Sequence, residues 1–259
     1  MDLRLTDRVA LITGGSRGIG RATALALARE GCSVGICARD DEGLMQTVSE
    51  LLALDVAARG YVADVAGAGE VERFVDQASA DLGRVDYAVA NVGGAVGGQF
   101  MAATREDWVA TFALNVGHAA ALIRACVPRM TEVGGGAAVI VSSIAGWKPA
   151  PRPQYGAAKA AEIYLASELG RELAPDRIRV NAVSPGSIFL PGVGWDRMRA
   201  DEPQRFQAFL DRDLPHGRLG TVDEVADVVT FLLSDRASWV TGTHIRVDGA
   251  QGRAGIAAW

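Results

Sequence analysis

The feature that most restricts this fold is an alternation that starts near the N-terminus. Short, β-branched, almost wholly apolar runs are separated by longer stretches whose apolar positions recur at helical spacing. Val9 to Thr13 reads as a strand and Ile19 to Glu30 as a helix, then Val34 to Ala38 as a strand and Glu42 to Leu54 as a helix. Further strands are expected at Tyr61 to Ala63, Tyr87 to Ala90, Ala137 to Ser143, Arg179 to Val183 and His244 to Val247. Helical patterns lie between them, near 69–82, 105–131, 154–174 and 222–234. Strand cores such as VALIT and AAVIVS are apolar on both faces, so both faces of the sheet must be covered. The expected class is α/β, a parallel sheet with helices on both sides. No repeat or linker divides the chain, so residues 1–259 are expected to form a single domain around one large core.

Composition removes several function classes. A formal net charge of −5 supplies no basic field for a phosphate backbone, so no nucleic-acid partner is expected. No apolar run approaches the length that spans a bilayer, and Asp2, Arg4, Asp7 and Arg8 interrupt any signal-peptide core, so no membrane partner is expected. The three cysteines, Cys32, Cys37 and Cys126, lack metal-ligand spacing and read as small buried thiols of a cytoplasmic protein, and no metal is expected.

Between the first strand and first helix lies Thr13-Gly14-Gly15-Ser16-Arg17-Gly18-Ile19-Gly20. Glycines there let the backbone turn sharply and approach a pyrophosphate, while the helix N-terminus offers free N–H groups and a positive dipole end. The strand–turn–helix context gives the cluster its meaning as a dinucleotide site. At the end of the second strand, where an acid would accept from the ribose hydroxyls of NAD, the chain has Cys37-Ala38-Arg39-Asp40. Arg39, with Arg17 in the turn, suits a 2′-phosphate, so NADP(H) is favoured over NAD(H). In the competing reading Arg39 caps a surface helix, and Asp40 or Asp41 takes the ribose hydroxyls of NAD.

Tyr155 and Lys159 stand four apart on a predicted helix and so share a face. Interconverting a carbonyl and an alcohol needs a proton donor and acceptor at the oxygen. A tyrosine, with pKa about 10, does this near neutrality only with a cation beside it. Upstream, an apolar strand ends in Ser142-Ser143, placing a hydroxyl where it can steady the developing charge on that oxygen.

The glycine spacing Gly14-x-x-x-Gly18-x-Gly20 together with Tyr155-x-x-x-Lys159 resembles the short-chain dehydrogenase/reductase family, and the likeness runs from Leu5 to about Gly249. The resemblance includes members like the 3-oxoacyl-carrier-protein reductases. It implies a Rossmann-type doubly wound parallel sheet holding cofactor and active site in one domain. It assigns Gly14, Ser16, Arg17, Gly18, Ile19 and Gly20 to the cofactor phosphates, Asp64 and Val65 to the adenine edge, and Asn91 and Gly93 to the turn after the fourth strand. Pro185, Gly186 and Ile188 match its nicotinamide-side motif, with Leu190 where threonine is frequent and Ser187 as a substitute hydrogen-bonding group. Among the serines it favours Ser143, with Ser142 as the fallback because the interval to Tyr155 is one residue short of the commonest spacing. Asn115 is implied to bend its helix and hold the lysine and a proton relay through water. Relatives of this kind are typically tetramers built on helices corresponding to 105–131 and 154–174, so a homotetramer is the expectation.

One stretch breaks the alternation. Pro185 to about Thr221 carries four prolines, and within it residues 187–221 read as a substrate loop. Leu190, Val193, Trp195, Met198, Phe206 and Phe209, with Trp147, Gly93 and Gly94, either wall an apolar substrate pocket or pack down within a helix near 196–213. His216 reads as a loop histidine, and the tail Gly252 to Trp259 as a subunit contact or a frayed end. The expected function is NADP(H)-dependent hydride transfer between the nicotinamide and a ketone or secondary alcohol, as a carbonyl reductase that includes 3-oxoacyl thioesters among its possible substrates. The alternatives are an NAD-dependent alcohol, sugar or steroid dehydrogenase and a non-catalytic NADP(H)-binding sensor. The retention of both Tyr155 and Lys159 argues against the sensor.

Overall fold

A computed structural model describes residues 1–252; the tail from 253 to Trp259, with its expected subunit contact, lies outside the described residues. Seven strands form one parallel sheet: β1 (Val9–Thr13), β2 (Ser33–Ala38), β3 (Ala58–Val62), β4 (Tyr87–Ala90), β5 (Gly136–Val141), β6 (Ile178–Pro185) and β7 (His244–Val247). Their order is β3-β2-β1-β4-β5-β6-β7, every neighbouring pair parallel. The chain winds outward from β1 to β3, returns to the centre, and winds the other way from β4 to β7. The connections at the carboxyl ends of β1 and β4 therefore diverge and open a crevice between them. This is the doubly wound Rossmann-type sheet, in one domain.

The helices are α1 (Gly18–Arg29), α2 (Asp41–Leu52), α3 (Glu70–Leu82), α4 (Arg105–Phe112), α5 (His118–Glu132), α6 (Pro153–Glu172), α7 (Trp195–Asp201), α8 (Pro203–Asp213) and α9 (Val222–Leu233). Successive residues of β1 serve opposite faces. Ala10 and Ile12 join Leu27, Leu44, Val229 and Leu232 in one core, while Leu11 joins Phe74, Leu122, Ile123 and Cys126 in the other. All three cysteines are buried; burial pushes the thiols of Cys37 and Cys126 up to about 12 and that of Cys32 higher still, so they behave as small apolar groups.

Three expectations need correction. The third strand is Ala58–Val62 rather than Tyr61 to Ala63: it is a half-exposed edge strand whose Ala58-Arg59-Gly60 start carries no apolar signal but pairs with Val34 to Ile36. The helix expected over 105–131 is interrupted by a π-helical segment, Ala113–Gly117. The continuous helical stretch Arg105–Glu132 is also long and apolar enough, by length and composition, to cross a bilayer. Its face bearing Ala119, Leu122, Ile123, Cys126 and Met130 packs into the sheet core, as a core helix does.

At the opposite end of the sheet from the crevice, Asp86 is 2% exposed and accepts from the Val9 N–H at 2.9 Å, Arg8 Nη1 at 3.0 Å and Arg84 Nε at 2.7 Å. This carboxylate ties the first residue of β1 to the approach to β4. Asp86→Ala strands a buried N–H and two arginines and is expected to cost about 3 kcal/mol in urea unfolding. A loss below about 1 kcal/mol would show that both arginines rehydrate freely.

Candidate active site

The glycine turn leaves β1 with the N–H groups of Gly14 and Gly15 donating to the Cys37 carbonyl at 2.8 and 3.1 Å. Gly14 has φ +70°, and a Cβ there would lie 2.9 Å from both Asn91 Nδ2 and Val92 Cγ2. A Cβ on Gly20 would meet the Gly14 carbonyl at 2.3 Å, so the helix can sit this close to the turn only without a side chain. The first turn of α1 has no side-chain cap and no acidic residue, which leaves its N–H groups and dipole directed at the crevice. Ser16 is half-buried and Arg17 exposed in this turn. Arg39 is exposed just past the buried Ala38, while the Asp40 carboxylate lies over Gly43 in the first turn of α2. Beyond β3, Asp64 is exposed and accepts from the Ala66 N–H at 3.1 Å, and Val65 is buried. Donors and glycine clearances fit a nicotinamide dinucleotide along β1, β2 and the loop after β3, with Arg17 and Arg39 exposed beside them.

The other lip of the crevice is the segment after β4. Asn91 donates through Nδ2 to the carbonyls of Thr13 at 3.0 Å and Gly14 at 3.3 Å, fastening that segment to the phosphate turn. Asn115 is fully buried in the π-helical segment. Its Nδ2 takes the Thr111 carbonyl at 2.7 Å and the Gly94 carbonyl at 2.8 Å, and its Oδ1 accepts from the Gly94 N–H at 3.2 Å. Claiming the carbonyl one turn back is what interrupts the helical ladder. A π-helical segment stands where the resemblance implied a bend at Asn115, and the Asn115 amide is spent on backbone groups that fix the lip. At Gly93 a Cβ would stand 2.6 Å from Lys159 Nζ and 2.7 Å from Asn115 Oδ1, so the lysine and asparagine converge on this glycine.

Tyr155 and Lys159 lie on α6, with Lys159 Nζ 5.7 Å from the Tyr155 ring centroid. Lys159 is 2% exposed and donates to the Val141 carbonyl at 3.0 Å. The serines after β5 separate clearly. Ser142 is buried and donates to the Lys159 carbonyl at 2.8 Å; Ser143 is half-buried and accepts from the Ala145 N–H at 3.1 Å, keeping its own hydrogen available. One cleft of about 330 Å³ brings together Ile19, Asn91, Gly93, Ser143, Tyr155, Lys159, Pro185, Gly186 and Ile188.

Some expected neighbours are elsewhere. Ser187 cannot stand in for the missing threonine: it is buried behind the cleft, with its N–H on Gln251 Oε1 at 2.7 Å and its Oγ accepting from Gln251 Nε2 at 3.1 Å. Trp147 turns toward β7, between Lys148 and Arg246 at 4.1 and 3.8 Å from its ring. The irregular stretch expected over 187–221 contains α7 and α8, and its aromatics divide. Phe206 and Phe209 pack down with Leu210, Leu214 and Leu219, whereas Leu190, Val193 and Trp195 face the cleft. Trp195 stacks on Phe209 at 4.5 Å, which joins the two sets. His216 is exposed on the loop after α8.

Three buried polar residues at the site escaped the sequence reading. Gln154 donates to the carbonyls of Val96 at 3.0 Å and Gly98 at 2.9 Å, tying the start of α6 to the lip. Glu162 is 1% exposed, one turn beyond Lys159 and paired with it. His118, on an otherwise apolar face of α5, contacts Thr13 Oγ1 at 3.3 Å and the Leu114 carbonyl at 2.7 Å. A polar residue inside an alanine-rich helical face was the available signal for Glu162 and His118.

Burial, reinforced by the Lys159 charge, lowers the His118 pKa to about 4. The unfolded chain therefore binds a proton near pH 6.5 that the folded chain refuses until about pH 4. Stability is expected to be complete above pH 6.5 and to fall as pH drops through this window, by up to about 3 kcal/mol. Unfolding of wild type and His118→Gln between pH 7 and pH 4 checks this; equal slopes for the two would refute it.

Comparison with known proteins agrees with this geometry. Residues 14–250 match the family described as enoyl-(acyl carrier protein) reductase. Dehydrogenase/reductase SDR family member 4 from Homo sapiens is 36% identical over 249 residues, covering 95% of this chain and 87% of that protein. L-sorbose reductase from Gluconobacter frateurii, solved with NADPH and L-sorbose, superposes with a TM-score of 0.90 at 32% identity, covering 96% of this chain and 98% of the other. A 7α-hydroxysteroid dehydrogenase solved with NADH and 7-oxo glycochenodeoxycholic acid also gives 0.90, at 29% identity, with 98% and 97% covered. The chain belongs to the short-chain dehydrogenase/reductase family and is an oxidoreductase of that family.

Proposed function

We propose that this protein is an NADP(H)-dependent carbonyl reductase that converts a small ketone to a secondary alcohol. The observation that carries this reading is the meeting of Ser143, Tyr155 and Lys159 in one cleft with Ile19 of the phosphate turn. The nicotinamide supplies the hydride. Tyr155 gives its phenolic proton to the carbonyl oxygen as negative charge develops there, and Ser143 donates a hydrogen bond to the same oxygen. Lys159 places a cation beside the phenol and would hold the nicotinamide ribose, and Asn115 keeps Gly94 in place behind them. Pro185, Gly186 and Ile188 line the cleft and would hold the nicotinamide end of the cofactor, and Asp64 and Val65, past β3, would hold its adenine.

Arg39 and Arg17 support NADP(H), since both are exposed at the mouth of the crevice and Ala38 offers no carboxylate to the ribose. Ile188, Leu190, Val193 and Trp195 give the 187–221 segment an apolar face on the cleft, suited to an apolar carbonyl compound. A carrier-bound 3-oxoacyl substrate draws less support. Of the four arginines that could face an acidic carrier, Arg199 pairs with Asp196 and Arg205 with Glu202, which halves the charge on offer, while Arg197 donates to the Gly192 carbonyl and Arg152 is exposed. Exposed Val109 on α4 and Tyr164 on α6 support assembly through those helices into the expected homotetramer.

Fluorescence titration tests the cofactor assignment. NADPH is expected to bind more tightly than NADH by about 1–3 kcal/mol, with the preference lost in Arg39→Asp. Tighter NADH binding by the wild type would make Arg39 irrelevant and favour alcohol oxidation. Tyr155→Phe is expected to keep NADPH binding while ketone reduction falls by about 10²- to 10⁴-fold. Retained turnover would remove Tyr155 from the chemistry.

A further inference from the structure

The inner face of α6 is built from small residues, Ala158, Ala166 and Gly170, except where Gln154 at its start and then Lys159 and Glu162 enter it. Glu162 Oε2 lies 2.9 Å and Oε1 3.1 Å from Lys159 Nζ, with both side chains no more than 2% exposed. An acid in this position needs a reason, because a buried carboxyl costs several kcal/mol to ionise and an apolar residue would fill the space without that cost. Burial pushes the Glu162 carboxyl upward on balance, and the ammonium in direct contact, with the Ser142 hydroxyl, offsets part of that rise. The groups that face the pair are few. Tyr155 shares the helix, the Ser142 hydroxyl reaches in from the end of β5, and His118 on α5 lies near enough to feel the Lys159 charge but is neutral above about pH 4. Among the described residues no other charged side chain pairs with Glu162.

We propose that Glu162 is an ionised positioning residue that holds Lys159 beside the Val141 carbonyl and tempers the positive charge that Lys159 presents to Tyr155. The idea rests on the reductase reading of Tyr155 and Lys159 and adds a third ionisable group to that pair. Lys159 Nζ has three hydrogens: Val141 and Glu162 account for two, and the third is left for the cleft. A carboxylate in contact with the ammonium also makes the first proton harder to remove from the Tyr155–Lys159 pair. That sign holds whichever of the two releases the proton, because the two singly deprotonated forms carry the same total charge. Glu162 therefore sets the pH at which the pair changes hands between acid and base.

The test is Glu162→Gln, which keeps the shape and removes the charge. Two readouts serve: the pH–rate profile for ketone reduction and for alcohol oxidation with NADP(H), and the phenolate absorbance of each protein with the matching Tyr155→Phe background subtracted. Both are expected to move to lower pH by about one unit or more in the variant. Glu162→Leu, which removes the same charge, should move them in the same direction and replaces the glutamine variant should that one not fold. An unmoved phenolate titration would mean that Glu162 is protonated and only fills space, and a shift to higher pH would contradict the sign; either overturns the proposal. A shifted phenolate titration without turnover on any ketone would leave the role of Glu162 standing and count against the reductase reading.

Discussion

An ammonium group withdrawn from water sits where the sheet, α6 and the crevice meet, and much of the local architecture follows from accommodating it. A buried cation is tolerated only with partners in contact, and Lys159 has two, the Val141 carbonyl and Glu162. Both come from rigid elements, the last residue of β5 and the next turn of α6. Gly93 has no side chain because Nζ occupies the space a Cβ would need, and Asn115 braces Gly94, the next residue after that contact. The interrupted helix between α4 and α5 is the local cost of that brace. A polar amide turned against its own backbone ladder takes the Thr111 carbonyl, and the helix gains a wider turn.

The sheet was legible in the sequence because its strands are buried on both faces and their apolar runs are nearly unbroken. Tyr87–Ala90 and His244–Val247 were found residue for residue, the second despite its edge position, because Ile245 and Val247 keep a clear β-branched signal. The other edge strand was misplaced since Ala58, Arg59 and Gly60 are held by pairing with β2 rather than by their own preferences. Helices α7 and α8 together span the helix weighed near 196–213, and Pro203, at the first position of α8, is where the two divide.

At the site, sequence spacing carried over where geometry is local. Tyr155 and Lys159 share a helical face, and the glycines fall in one turn. The distinction between Ser142 and Ser143 depended instead on which hydroxyl meets the Lys159 carbonyl, a tertiary contact that spacing does not encode. For the same reason Ser187 and Trp147 were expected at the cleft and point away from it: one residue of register along the loop after β6, and one turn of 3-10 helix after Ser143, decide the direction. Gln154 was invisible because a glutamine at a helix start is ordinarily solvated, whereas Glu162 left only the weak signal of an acid within an alanine-rich face, and burial is what gives either its meaning.

The small core formed by Phe206, Phe209, Leu210, Leu214 and Leu219 is separate from the two that sandwich the sheet. Its base is a short parallel bridge between Ile188 and Gly220, where the two ends of the segment meet. The unit is therefore a cassette, with its apolar interior closed on itself and both ends of its chain fixed at one place. Exchange of its outward residues alters the wall over the cleft while leaving the sheet's own packing intact. A fold of this kind can diversify what it admits without renegotiating what holds it together.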